Sequence, residues 1–107
     1  MPEVRIYQTQ EKDKPFTKWL DKLRDIKAKA KILQRIDRLE LGNFGDCKPL
    51  GEDVHETKIN YGPGYRIYFG NDGKEVVILL YGGSKKSQDS DIKKAKKYWE
   101  DYKTRKR

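Results

Sequence analysis

A single cysteine, a single histidine and a single methionine in 107 residues leave this chain little with which to build a metal or redox centre. Cys47 alone excludes an intrachain disulfide, and with His55 the only histidine there is no Cys/His cluster of the kind that holds a structural zinc. The expectation is a protein working without metal or cofactor. Cys47 also lacks a His or Asp partner in its loop, which argues against a nucleophilic role. No apolar run approaches the ~20 residues that cross a bilayer, and none resembles the core of a signal peptide. That reading excludes a membrane partner and gives a cytoplasmic protein.

Apolar side chains are scarce as well, at 35% against 39% charged, and mean hydropathy is −1.06. Scattered, they would describe a disordered chain. They recur periodically instead, and 107 residues suffice for one core, so residues 1–107 read as a single domain. Lys and Arg number 25 against 17 Asp and Glu, a formal charge of +8, which selects for a polyanionic partner.

Val4 to Tyr7 alternates as a short strand. Pro15 suits the first turn of a helix whose apolar stripe is Phe16, Trp19, Leu20 and Leu23. Asp25 caps a second helix, with Ala30, Leu33 and Asp37 in one row, Ile32, Ile36 and Leu39 in the next, and Gly42 as its stop. The short link between these helices predicts a hairpin. Asn43 to Asp53 reads as a loop with a short extended piece at Lys48 to Leu50.

Two hairpin signals follow. Val54 to Ile59 and Tyr65 to Phe69 flank the turn Tyr61-Gly62-Pro63-Gly64, and Asn71-Asp72-Gly73 turns the chain into the strand Val76 to Tyr81. This last run is apolar on both faces, the mark of a central strand covered on both sides. A Gly82-Gly83 turn leads to a helix opened by Asp89, Ser90 and Asp91, with the stripe Ile92, Ala95, Trp99 and Tyr102. Lys103 to Arg107 reads as a fraying basic tail. The fold class is therefore α+β in the order β-α-α-β-β-β-α, a helical hairpin packed on a mostly antiparallel sheet.

Period-2 alternation sets Tyr65, Ile67 and Phe69 toward the core and turns Arg66 and Tyr68 outward, with Lys58 beside Arg66 if Ile59 points inward. Lys58, Arg66, Lys85 and Lys86 then make a cationic sheet face suited to phosphate, against the plainer alternative of solubilising charge. Tyr68 is the stacking candidate by its facing. Histidine is the residue type suited to general-base chemistry near neutrality, yet His55 shares a strand face with Ile59, which favours a partly buried structural role.

Gly51 to Ile59, Tyr61 to Phe69, and Lys85-Lys86-Ser87-Gln88 with Asp91-Ile92 resemble the addiction-module killer proteins, a HigB-like branch of the RelE/ParE toxin superfamily. Phe16 to Leu20, Ala28 to Ala30, Arg35 to Leu39 and Gly42 to Asp46 are similar to the helical half of that family. The resemblance implies a RelE-like fold, a toxin neutralised by a cognate antitoxin that is commonly a helix-turn-helix protein, and either ribosome-dependent, metal-independent mRNA cleavage or inhibition of DNA gyrase. A third alternative is a nucleic-acid-binding module without catalysis. For RNA cleavage, the resemblance implies Lys58 as base, an amine flanked by the like charges of Arg66 and Lys86, which would stabilise phosphate. Lys85, Tyr68, His55 and Gln88, a donor that cannot titrate, would contact RNA.

Overall fold

The computed structural model describes residues 1–106, which form β1 (Glu3–Ile6), α1 (Pro15–Lys22), α2 (Ile26–Glu40), β2 (Cys47–Pro49), β3 (Val54–Ile59), β4 (Tyr65–Asp72), β5 (Val76–Gly83) and α3 (Gln88–Arg105), with a 3-10 turn at Lys85–Ser87. The five strands make one sheet in the order β1-β5-β4-β3-β2. β1 runs parallel to β5, and every other neighbouring pair is antiparallel. The α+β class holds. The extended piece expected around Lys48 is a paired edge strand, Cys47–Pro49, so one more strand enters the order than the sequence pattern counts.

The helix ends follow their local chemistry. Pro15 opens α1, and the Asp25 carboxylate caps α2 by accepting from the backbone N–H groups of Lys27 and Ala28 at 3.0 and 3.2 Å. Gly42, at φ +80°, ends α2 in the left-handed region. α1 lies on β5, while α2 spans from the β3–β4 turn, where the Tyr61 hydroxyl donates to Asp25, to Pro2 beside Gly42. The two helices thus cover one face of the sheet. Their core contains Phe16, Ile32, Leu39, Ile59, Ile67, Phe69, Val77 and Leu79, with Trp19, Leu20, Leu23 and Ile36 at its margin. The row of Ala30, Leu33 and Asp37 sits on the outer face of α2, with Leu33 51% exposed. The sheet takes up the row of Ile32 and Leu39, and nothing remains to cover the other.

α3 covers the opposite face. Tyr68, Ile78, Leu80, Ala95 and Trp99 form a second core there with Tyr7 and Val54, flanked by Ile92 and Tyr102. A bulge between Tyr68 and Phe69 shifts the register on β5, pairing Tyr68 with Tyr81 but Phe69 with Leu79. Gly82 and Gly83 continue β5 where the sequence pattern expects a turn. Their lack of a side chain is used on both faces, since a Cβ on Gly82 would overlap the Trp19 ring and one on Gly83 would overlap the Asp91 carboxylate. Gly70 in β4 lies under Trp99 in the same way.

α3 extends into the stretch read as a basic tail. α3 continues through Arg105, which bonds Asp101 and the Gln8 carbonyl, and Lys106 bonds Asp72; Arg107 lies outside the described residues. The Tyr7 hydroxyl donates to Asp101 at 2.5 Å and the Tyr102 hydroxyl to Asp72 at 2.6 Å, tying α3 to β1 and to the β4–β5 turn. Burial first, and then these carboxylate acceptors, push both phenols up to about 12.

Two outcomes follow from this packing. Gly82→Ala or Gly70→Ala must displace an indole from a filled layer and should cost ~1–3 kcal/mol in urea unfolding. The two phenols ionise near 10 in the unfolded chain and near 12 in the fold, so their contribution is fully present below pH 10 and lost as pH rises through 12. The urea midpoint should fall over that window, and the fall should shrink in the Tyr102→Phe protein.

Candidate functional site

The register between β3 and β4 puts Lys58 directly across from Arg66 and Glu56 across from Tyr68, all four on the α3 side of the sheet. The alternation expected from the sequence is therefore real. The outward facing inferred for Arg66 and Tyr68 is not, because that face is a second interior beneath α3. Arg66 is 5% exposed and Tyr68 wholly buried. Among the described residues the Tyr68 hydroxyl has no partner, and burial, with Glu56 and Asp91 nearby, raises its pKa. Its ring offers no surface to a ligand.

Arg66 is held from two sides. Its Nη1 donates to the Gly64 carbonyl at 2.6 Å, and its Nε lies 3.6 Å from the buried Glu56 carboxylate. Gln88, from the first turn of α3, donates to the same carboxylate at 2.9 Å. Ser87 donates to Asp91, itself buried, at 2.5 Å, and Asp91 occupies the space left free at Gly83. Two buried carboxylates and one guanidinium thus pin the start of α3 to the sheet. Sequence reading missed Glu56 and Asp91. The signal for Glu56 was its period-2 relation to Lys58, and for Asp91 its spacing of four from Ser87.

The exposed cations gather above this base. Gly64, at φ +75°, brings the turn close enough that a Cβ there would lie 3.4 Å from Arg66 Nη1, 3.8 Å from Lys58 Cε and 4.0 Å from Lys85 Cβ. The Lys58 carbonyl accepts from Arg35 Nη1 at 2.9 Å, which anchors β3 to α2, and the Lys85 N–H reaches the Pro63 carbonyl at 3.4 Å. Lys85, Lys86, Ser87 and Gln88, with Asp89 and Ser90, line an adjoining recess of about 390 Å³. Among the described residues no carboxylate lies within ion-pair distance of Lys58, Lys85 or Lys86. Uncompensated positive charge over a fixed guanidinium is a place for a phosphate group.

His55 belongs to the other face, half-buried, with its ring stacked on Phe69 at 5.4 Å between centroids. The sheet separates it from Lys58 and Arg66. Among the described residues no group of three or more His, Cys, Asp or Glu is placed to hold a metal ion. Among the described residues no helix is long and apolar enough to cross a membrane.

The buried pair gives a direct stability test. Glu56→Ala strips Arg66 of its carboxylate and Gln88 of its acceptor, and should cost ~3–5 kcal/mol in urea unfolding, whereas Lys58→Ala at the exposed rim should change stability by less than ~0.5 kcal/mol.

Comparison with known proteins gives two results. An uncharacterized protein of Haemophilus influenzae is 52% identical over 81 residues, which cover 76% of this chain and 82% of that protein. The family model described as phage derived protein Gp49-like (DUF891) matches residues 18–102, a span holding α2, the antiparallel strands, the cationic rim and nearly all of α3. The chain belongs to this Gp49-like, phage-derived protein family.

Proposed function

We propose that this protein is the toxin of a type II toxin-antitoxin pair, with a RelE-like, HigB-like fold, and that it cleaves mRNA on the ribosome without a metal ion. The observation that carries the reading is the approach of Arg66 Nη1, Lys58 Cε and Lys85 Cβ to Gly64, which roots three basic side chains around one turn, a setting suited to a phosphodiester. The Lys58 amine takes the proton of a ribose 2′-hydroxyl; the 2′-oxygen bonds to phosphorus as the bond to the 5′-oxygen breaks. Arg66 stabilises the added charge on the phosphorane-like transition state from its fixed position. The exposed ammonium of Lys85 or Lys86 protonates the leaving 5′-oxygen. The products are a 2′,3′-cyclic phosphate and a 5′-hydroxyl.

The partner in this reading is an antitoxin of acidic and apolar surface, a helix-turn-helix protein as the family resemblance implies. The outer face of α2 supports a protein partner. Ile26, Ala30 and Leu33 recur there at i, i+4 and i+7, with Ile26 81% exposed, and Lys31, Gln34, Arg35 and Arg38 line a neighbouring recess of about 180 Å³. Apolar side chains beside Lys31 and Arg38, which have no carboxylate within ion-pair distance among the described residues, suit a helix carrying leucines and glutamates.

Burial of Tyr68 favours one competing reading, a ParE-like gyrase inhibitor that binds without proton transfer. Induced expression with mapping of mRNA ends separates the two. Cleavage at ribosome-bound codons is the expected result, and Lys58→Ala should lower the cleavage rate ~10²–10⁴-fold with the protein still folded. Growth arrest with DNA damage and intact mRNA would replace this reading with gyrase inhibition.

A further inference from the structure

The parallel pairing of β1 with β5 ends at Leu79, where the Tyr7 N–H meets the Leu79 carbonyl. Beyond that point β5 continues through Leu80, Tyr81, Gly82 and Gly83 without β1 beside it, while the chain turns away toward α1. The gap is a cavity of about 290 Å³ between α1 and α3. Three aromatic residues from three elements line it: Trp19 of α1, Tyr81 of β5 and Tyr98 of α3, all half-buried. Lys18 and Lys22, one turn apart on α1, stand at its rim. Lys94 lies over the Tyr81 ring at 5.5 Å.

We propose that this cavity is a nucleotide subsite in which the base of single-stranded RNA stacks among Trp19, Tyr81 and Tyr98 and the phosphate is met by Lys22. The rings are braced, as a stacking platform needs. Tyr81 and Tyr98 are edge to face at 5.8 Å, Tyr7 stacks behind Tyr98 at 5.2 Å, and Trp19 lies over the backbone of Gly82. Aromatic faces with flanking cations bind single strands through base stacking and phosphate neutralisation. Lys18 is 3.7 Å from Asp13, whereas Lys22 has no carboxylate within ion-pair distance among the described residues, so of the two lysines that line the cavity Lys22 is the one left for phosphate.

Position links the cavity to the cationic rim. Gly83 pairs with Arg66, and Tyr81 lies two residues back along the same strand, ~7 Å at the rise of a β-strand. The Trp19 ring meets Tyr65, the residue before Arg66, at 6.2 Å. A strand of RNA with its phosphate over Lys58 and Arg66 therefore has this cavity within reach of a neighbouring nucleotide. The buried Tyr68 cannot supply stacking, and these three rings can.

The proposal rests on the RNA-cleaving reading, and its test is separable from it. Trp99 is buried under α3 and Trp19 is not, so the two indole N–H resonances of the wild-type protein, assigned with Trp19→Phe, distinguish the cavity from the core. A single-stranded RNA hexamer methylated at its 2′-oxygens, and 5′-AMP, should shift the Trp19 resonance and leave that of Trp99 in place, while ribose 5-phosphate should shift neither. Tyr81→Leu should weaken hexamer binding about 5- to 100-fold, the range for one stacked base. Lys22→Ala should flatten the dependence of binding on salt, since one phosphate contact is lost. A hexamer that binds without moving the Trp19 resonance, or that binds Tyr81→Leu and Lys22→Ala as tightly as wild type, overturns the subsite. If mRNA cleavage still depends on Lys58 in that case, the subsite alone has failed; loss of both hexamer binding and mRNA cleavage removes the RNA reading with it.

Discussion

β4 and β5 are buried on both faces, and each face is sealed by an indole laid on a glycine: Trp19 on Gly82 and Trp99 on Gly70. A side chain at either glycine would hold its helix away from the sheet, so the three-layer arrangement depends on these two absences. With α1 and α2 on one side and α3 on the other, the central strands need apolar residues on both faces, and the run Val76 to Leu80 supplies them. The bulge opposite Tyr68 then shifts the alternation so that Gly82 meets α1 and Gly83 meets α3.

The cationic rim is built on that frame. Arg66 is a buried foundation, fixed by Glu56 and the Gly64 carbonyl, and Lys58, Lys85 and Lys86 are the exposed charges above it. A guanidinium already desolvated and oriented needs little rearrangement to face a developing negative charge, which is the condition for electrostatic stabilisation of a transition state. The same geometry explains the acidic residues around it: burying Arg66 without Glu56 would leave an uncompensated charge in the core. Ser87, Gln88 and Asp91 extend the network so that the first turn of α3, and with it the Lys85–Lys86 turn, is held against the sheet.

Much of this was legible in the amino-acid pattern. Helix starts at Pro15 and Asp25, the stop at Gly42, the two hairpins and the stripe on α3 come from short-range chemistry, where a residue acts on its immediate neighbours. That Lys58 and Arg66 share a face follows from alternation with Ile59 inward, and their direct pairing from a five-residue connection, residues 60–64, between the paired Ile59 and Tyr65. His55 was placed with Ile59 by the same logic, and its stack on Phe69 agrees with that facing. Gly82-Gly83 was misread because glycine pairs mark turns when local conformation decides, whereas here the reason for glycine lies across the sheet in Trp19 and Asp91.

By itself, then, the sequence determined the class of the fold, which residues of β3 and β4 share a face, and the net positive charge that favours a polyanion. Alternation divides a strand into two faces but carries no sign that says which one meets solvent. Only the tertiary structure decided that, because the cover on the second face, α3, comes from a segment twenty or more residues away. It turned Arg66 and Tyr68 from surface residues into buried ones, brought Glu56 and Asp91 to them, and moved the accessible aromatic surface to Trp19, Tyr81 and Tyr98, which no local pattern joins.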